Sequence, residues 1–367
     1  MKMDLFRALK HTSLYYARAA MGMVIRPLKL RLAITNRCNS RCRMCSVWKL
    51  EGKQAEELTV EEYERTFSRS RGFLSRVRHV SLTGGEPLLR DDVADVVRVV
   101  HRHFPNASLN LNTNGFLTRR LLDLAATLAD EGIAVTYNVS LDAFDEIHDR
   151  MRGVPRAAKM ALDSINGLRE LKEQGKKLKV NINCMIMDEN AAACEEVYDF
   201  CRGHRLDFNP IMPVFGELYK NEDLTFSMSD KARARLTRLF EKMVRDSDGR
   251  QMSFAVVLDQ ILGRPREFRC WAGRIILLIE ENGDVYPNGG CPRDWVLGNL
   301  RSFDYGLEKL FSSDQAREVL RRVRRCRRCR LPCETLTTLK YPEALHAYLK
   351  TRRTRAAQRR STKRGAR

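Results

Sequence analysis

Three cysteines in the stretch Arg37 to Trp48, RCNSRCRMCSVW, form a C-x3-C-x2-C array: Cys38, Cys42 and Cys45. Directly before them runs an alternating apolar segment, Leu28, Leu30, Leu32 and Ile34, so the array hangs from the end of an expected strand. Three thiolates on one short loop can hold three irons of a [4Fe-4S] cluster, and no fourth cysteine stands near in sequence to take the last iron. That corner is left open for a ligand. The competing reading is structural zinc, which takes four closed ligands, usually delivered as two separated pairs.

A second group lies far downstream. Cys270 precedes an apolar strand expected over 274–280, a turn at Glu281-Asn282-Gly283-Asp284 and then Cys291, after which Cys326, Cys329 and Cys333 form a C-x2-C-x3-C array. Four thiolates that include a C-x2-C pair are also what a zinc ribbon uses. Cys184, Cys194 and Cys201 show no ligand spacing and read as core residues.

The elements that would carry these groups alternate. After the cysteine loop, Thr59 followed by Glu62 is a capping-box signature for a helix to about Ser70. Strands are expected over 77–83, 108–112, 133–141, 178–187 and 206–213. The helices between them run from Asp91 to His103, from Thr118 as cap to Glu131, from Arg156 to Glu173, and onward from Asn190. Strand-helix alternation with such crossovers implies a parallel sheet wound in one hand, whose ligands bind beyond the carboxyl ends of the strands. The unusual residues sit at those ends: the cysteine loop, Gly84-Gly85-Glu86-Pro87, Thr113-Asn114-Gly115 and Ser140-Leu141-Asp142. Between 221 and 269 the chain reads as a linker, a helix over 229–245 and a less regular stretch.

At 367 residues with 43% hydrophobic residues, the chain is long enough for one large domain and a smaller one. Its eleven cysteines cluster by ligand spacing in a chain too long for a disulfide scaffold, so a reducing cytoplasm is expected. Residues 1–27 read as an amphipathic segment with neither signal peptide nor membrane span, a docked terminal helix being the first reading and an interfacial helix the second. The formal charge is +20, and after Leu349 nine basic residues meet no acid. This tail, within 341–367, reads as a solvated end; RNA or an anionic membrane surface are the partners it would attract.

The motif Cys38, Cys42, Cys45, followed in register by Gly84-Gly85-Glu86-Pro87, resembles the cluster loop and glycine-rich strand end of radical S-adenosylmethionine (SAM) enzymes. The resemblance implies an α/β fold, an open partial (β/α)6 barrel over 28–220. It also implies a [4Fe-4S] cluster on the three cysteines, with SAM chelating the open iron and yielding, on reduction, a 5'-deoxyadenosyl radical that takes hydrogen from a substrate. By the same resemblance Gly84, Gly85 and Glu86 meet the SAM amino group, and Asn114, Ser140 and Arg152 are candidates for its ribose and carboxylate. Met44 stands where family members often have an aromatic residue beside the adenine. Cys270, Cys291, Cys326 and Cys329, with Cys333 spare or exchanging, resemble the ligands of a SPASM or twitch-like domain over 270–340 that binds an auxiliary [4Fe-4S] cluster. Here the chain departs from the usual hairpin, reaching Cys291 where the family's second cysteine falls near Asn288.

The function implied is radical C–H chemistry in an oxygen-sensitive enzyme, cytoplasmic or peripheral at the membrane, with a flavodoxin or ferredoxin as electron donor. A short segment before the first strand, too short for a peptide-recognition domain, favours a small metabolite or lipid precursor over a peptide undergoing maturation. A non-catalytic iron-sulfur or zinc protein binding nucleic acid is the other class, and it leaves Gly84 to Pro87 unexplained.

Overall fold

The computed structural model describes residues 26–50, 56–213, 221, 224, 226–246, 251–266, 270–327 and 335. The expected terminal segment before 26, the basic tail, Cys329 and Cys333 lie outside the described residues. β1 (Lys29–Thr35) buries Leu30, Leu32 and Ile34 against the helices and turns Lys29 and Arg31 to the other face, the period-2 pattern of a strand. There follow α1 (Val60–Arg69), β2 (His79–Gly84), α2 (Val93–His103), β3 (Ser108–Thr113), α3 (Thr118–Asp130), β4 (Val135–Ser140), α4 (Glu146–Arg152), α5 (Ala157–Glu173), β5 (Leu178–Met185), α6 (Ala193–Gly203) and β6 (Asp207–Ile211). Strands β1 to β6 are adjacent in chain order and parallel, each crossover carrying at least one helix. This is the expected α/β partial barrel.

Local signals explain several boundaries. The capping box forms at α1, with Glu62 N–H donating to Thr59 Oγ1 at 3.2 Å and Thr59 N–H to Glu62 Oε2 at 2.9 Å. Thr118 is not a cap: Leu117 precedes the first turn of α3, and the Thr118 hydroxyl instead donates to the Met160 carbonyl of α5 at 3.3 Å. Up to residue 266, two helices longer than one turn lie outside the expected elements. One is α4; the other, after α7 (Asp230–Asp246), is α8 (Gln251–Ile261), in the stretch expected to be irregular.

The C-terminal hairpin is not a free-standing unit. Its first strand, β7 (Ile276–Ile279), pairs in parallel with β1 from Lys29↔Ile276 to Leu32↔Ile279, and β8 (Asp284–Tyr286) and β9 (Gly298–Asn299) continue antiparallel. Among the described residues one sheet therefore runs β6-β5-β4-β3-β2-β1-β7-β8-β9. Beyond β9, α9 (Leu307–Phe311) and α10 (Asp314–Arg325) pack on it through Leu307, Leu310, Ala316, Val319 and Val323, all buried.

Polar contacts seal the hairpin to α1. Arg301 grips Glu62 with Nε at 2.7 Å and Nη2 at 3.0 Å, and the Tyr305 hydroxyl donates to the same carboxylate at 2.7 Å. The Arg301 bonds hold the Glu62 carboxyl down to about 2, against partial burial that would raise it, from an ordinary value of 4.5. A depressed folded pKa means stabilisation that is present above about pH 4.5 and lost as the pH falls toward 2. Glu62→Gln should accordingly lower the melting temperature of the cluster-free chain at pH 7, with the gap to the parent narrowing once the buffer drops below pH 4.5. A gap of constant size across that range would mean that the loss does not come from the ionised carboxylate.

Candidate active site

Residues 36–46 have no regular backbone, so the cysteine loop is held by its neighbours. The Thr35 and Arg37 carbonyls accept the N–H groups of Gly85 and Glu86 at 2.6 and 2.8 Å. From the other side, the carbonyls that end α4 take the loop's amides: Arg41 N–H donates to Arg152 O at 2.9 Å and Arg43 N–H to Met151 O at 3.0 Å. The Ser40 hydroxyl adds a bond to Arg152 O at 3.0 Å. Backbone meets backbone here, which is why glycines stand at the contacts. A Cβ at Gly85 would lie 2.2 Å from the Arg37 carbonyl, and one at Gly84, where φ is +132°, 2.1 Å from that of Thr35.

Cys38, Cys42, Met44, Cys45, Gly84, Gly85, Asn114, Ser140 and Arg152 all line one cavity of about 440 Å³ at the carboxyl ends of β1 to β4. These nine come from five separate places in the sequence, the 38–45 loop, Gly84-Gly85, Asn114, Ser140 and Arg152, and the fold brings them together. Glu86 is placed differently. It does not line the cavity, because its buried carboxylate accepts the Thr113 hydroxyl at 2.9 Å, Asn114 N–H at 2.8 Å and Leu88 N–H at 3.2 Å. Burial outweighs these bonds and pushes the Glu86 carboxyl up to about 7. Its geometry ties the glycine-rich loop to the end of β3.

Arg152 also differs from the expectation. The planar fork that suits a ligand's carboxylate is engaged by Asp142, with Nε to Oδ2 at 2.7 Å and Nη2 to Oδ1 at 3.0 Å. Burial works against the Asp142 anion, but the charges and hydrogen bonds of Arg152 and His148 together outweigh it and hold the carboxyl down at about 2. Nη1 points to the Cys42 sulfur at 3.9 Å. The Asn114 side chain is used twice, donating to Asn39 Oδ1 at 2.7 Å and accepting Phe116 N–H at 3.0 Å.

The donor set fits an iron-sulfur cluster. Burial pushes the Cys38 thiol up to about 12 and the Cys45 thiol to about 11, the negative neighbour Cys42 adding to both. Bare thiolates are costly there, and a bound cationic iron core removes the cost. Among the described residues no three Cys, His, Asp or Glu side chains close on a single ion.

The cavity wall holds a set of residues that the sequence reading missed. Asn112, Asn138, Asn181, Asn183 and Asn209 face it from β3 to β6 and form a ladder: Asn138 Nδ2 to Asn112 Oδ1 at 3.1 Å, Asn181 to Asn138 at 3.0 Å, and Asn209 to Asn183 at 2.7 Å. Lys29 and Arg31 line the same cavity from β1. The available signal was asparagine two apart in β3 and β5 and single in β4 and β6, in strands that, buried on both faces, should read as continuous apolar runs.

Of the second cysteine group, Cys270 and Cys291 are buried and Cys326 caps the end of α10. The segments carrying them converge on Gly273, whose N–H donates to Pro287 O at 2.9 Å and whose added Cβ would stand 2.6 Å from Leu320 of α10. Arg266 Nη2 donates to Cys326 O at 2.6 Å.

Comparison with known proteins agrees with this geometry. A family model described as the radical SAM superfamily matches residues 32–201, and one described as an iron-sulfur cluster-binding domain, SPASM, matches 270–333. GTP 3',8-cyclase of Erythrobacter litoralis is 36% identical over 290 residues, covering 75% of this chain and 83% of that protein. The enzymes of the same name from Paracoccus denitrificans and Agrobacterium fabrum are 33% and 34% identical, over 55% and 60% of this chain. Those two matches span 57% and 61% of the relatives' own length, less than two thirds. Among solved structures, native anSMEcpe with bound AdoMet aligns with a TM-score of 0.62 at 20% identity, covering 83% of this chain and 86% of that one. Streptococcus suis SuiB bound to S-adenosylmethionine aligns at 0.54 and 18%, covering 78% and 66%. At such identities these two likenesses concern the fold.

The backbone contact at Gly85 is directly testable. Gly85→Ala places a methyl group on the Arg37 carbonyl, so the two loops must part, at an expected cost of about 1–3 kcal/mol. Calorimetry should show a lower melting temperature, and reconstitution should give less iron per chain than the parent. An unchanged melting temperature with full iron would mean that the two loops are not in contact.

Proposed function

The chain belongs to the radical SAM superfamily and carries a SPASM iron-sulfur domain, and from this premise we propose that it abstracts hydrogen from a C–H bond of a small, polar, anionic metabolite. The cofactors are a [4Fe-4S] cluster with SAM and an auxiliary cluster. When bound, cluster and SAM supply the reductive cleavage that yields a 5'-deoxyadenosyl radical. In this reading Cys38, Cys42 and Cys45 hold the N-terminal cluster, while Gly84 and Gly85 let backbone carbonyls approach the SAM amino group. Ser140 and Asn114 border its ribose, Met44 packs by the adenine, and Arg152 offers Nη1 rather than its whole fork to the carboxylate. Cys270, Cys291 and Cys326, with Cys329 and Cys333, supply the auxiliary cluster. A small acidic electron-transfer protein such as a flavodoxin or ferredoxin provides the electron.

The observation that carries the substrate class is the amide ladder with Lys29 and Arg31 on the same cavity as the three cysteines. Amides present donors and acceptors to hydroxyls, carbonyls and ring nitrogens, and two cations favour a substrate with phosphate or carboxylate groups. A lipid chain laid on this wall would desolvate the amides without compensation. The relatives' name, GTP 3',8-cyclase, supports a nucleotide as the first compound to try.

Anaerobic reduction with SAM should give 5'-deoxyadenosine, and Cys42→Ala should abolish it. Among nucleotides, other anionic metabolites and short peptides, the substrate should raise the rate and, when deuterated at the reacting carbon, pass deuterium into 5'-deoxyadenosine. Arg31→Ala should raise KM for that substrate about tenfold, or about 1.4 kcal/mol, with kcat little changed. Stimulation by peptides alone would overturn the small-molecule reading in favour of a peptide maturase; 5'-deoxyadenosine at the parent rate from Cys42→Ala would overturn the cluster assignment.

A further inference from the structure

Asp142, at the end of β4, does more than close a loop. It is fully buried, and the Arg152 side chain paired with it is only 10% exposed. Its carboxylate takes both arms of the Arg152 fork and also the Met185 N–H of β5 at 2.8 Å. Its backbone carbonyl accepts Asn190 Nδ2 at 3.0 Å, and its own N–H donates to His148 Nδ1 at 3.0 Å. Every degree of freedom of the carboxylate is thereby fixed. So is the guanidinium, which has its remaining nitrogen, Nη1, at 3.9 Å from Cys42 Sγ.

A cation or N–H donor at a ligand sulfur makes cluster reduction easier, since it offsets the negative charge that the added electron brings. A carboxylate behind that cation opposes the effect. Taking Cys42 as a cluster ligand, as in the reading above, we propose that Asp142 is a positioning residue which aims Arg152 at the Cys42 sulfur and, by cancelling part of its charge, keeps the N-terminal cluster at a lower reduction potential than Arg152 alone would set. Groups that hold ligands from behind commonly tune a metal centre in this way.

The two halves of the pair should then shift the potential in opposite directions, which a purely structural role would not do. The readout is an anaerobic redox titration of the reconstituted full-length protein, followed by electron paramagnetic resonance on the signal that changes when SAM is added. Asp142→Asn, equal in shape, should shift the reduction equilibrium about tenfold toward the reduced state, ~59 mV for one electron. Arg152→Met should shift it the other way, Arg152→Lys should stay nearer the parent than Arg152→Met, and the double variant Asp142→Asn/Arg152→Met, which buries no lone charge, should return close to the parent. A parent-like potential in Asp142→Asn, or shifts of the same sign in Asp142→Asn and Arg152→Met, would overturn the proposal. Should Arg152→Met bind no iron, a double variant as far from the parent as Asp142→Asn alone would overturn it equally. A parent protein with no SAM-responsive signal would instead overturn the cluster reading on which the proposal rests.

Discussion

The cysteine loop has no ladder of its own, and that constraint orders much of the site. For three cysteines to act together the loop has to arrive at one geometry, yet residues 36–46 contribute no strand or helix to fix it. Its conformation is imposed by amide-carbonyl bonds from two neighbours: Gly85 and Glu86 after β2, and Met151 and Arg152 at the end of α4. Each requires a side chain to be missing or to be turned away. Gly84, Gly85 and Gly153 meet the first demand; a Cβ at Gly153 would lie 2.4 Å from the Arg41 carbonyl. Glu86 meets the second by burying its carboxylate among Thr113, Asn114 and Leu88. These bonds restrict the backbone freedom of the loop.

The same sheet answers a second demand. In a parallel sheet covered by helices, both strand faces are enclosed. Here the outer face is apolar, with Leu82, Leu111, Val139 and Ile182 buried, while the inner face carries asparagines that bond to one another across β3 to β6. Side-chain amides bond to one another along the wall, and each amide has more donors and acceptors than these bonds use. On the far side of β1 the inner face turns apolar, with Ala33, Leu278, Tyr286 and Val296 packed together, so the polar part of the wall lies from β1 toward β6.

Much of this was legible in the residues. Ligand spacing marks the cysteine loop, glycine pairs mark a close approach, and the hydrophobic period marks six strands whose observed bounds differ from expectation by a few residues. Short or uniformly apolar helices were not legible. Glu146–Arg152 is seven residues with only Ile147 and Met151 apolar, too brief to show a period, and its end is set by Gly153 at φ +65°. In Gln251–Ile261 the run Phe254 to Leu258 is buried throughout, and a helix buried on all sides shows no amphipathic stripe. Nor could spacing show that β7 would pair with β1, since that contact joins residues more than two hundred apart. Asp142 stands out in the sequence only as part of a strand end, and its contacts depend on where Arg152 and Met185 stand in space.

The central claim is that the three cysteines leave one iron open and that SAM occupies it. Electron-nuclear double resonance on the reduced protein with SAM labelled in its amino nitrogen and carboxylate oxygens tests this at the atoms concerned. The account predicts hyperfine coupling of both labels to the N-terminal cluster, and its loss together with the cluster when Cys38, Cys42 and Cys45 are replaced. A reduced cluster whose spectrum is unaltered by SAM and shows coupling to neither label would contradict it.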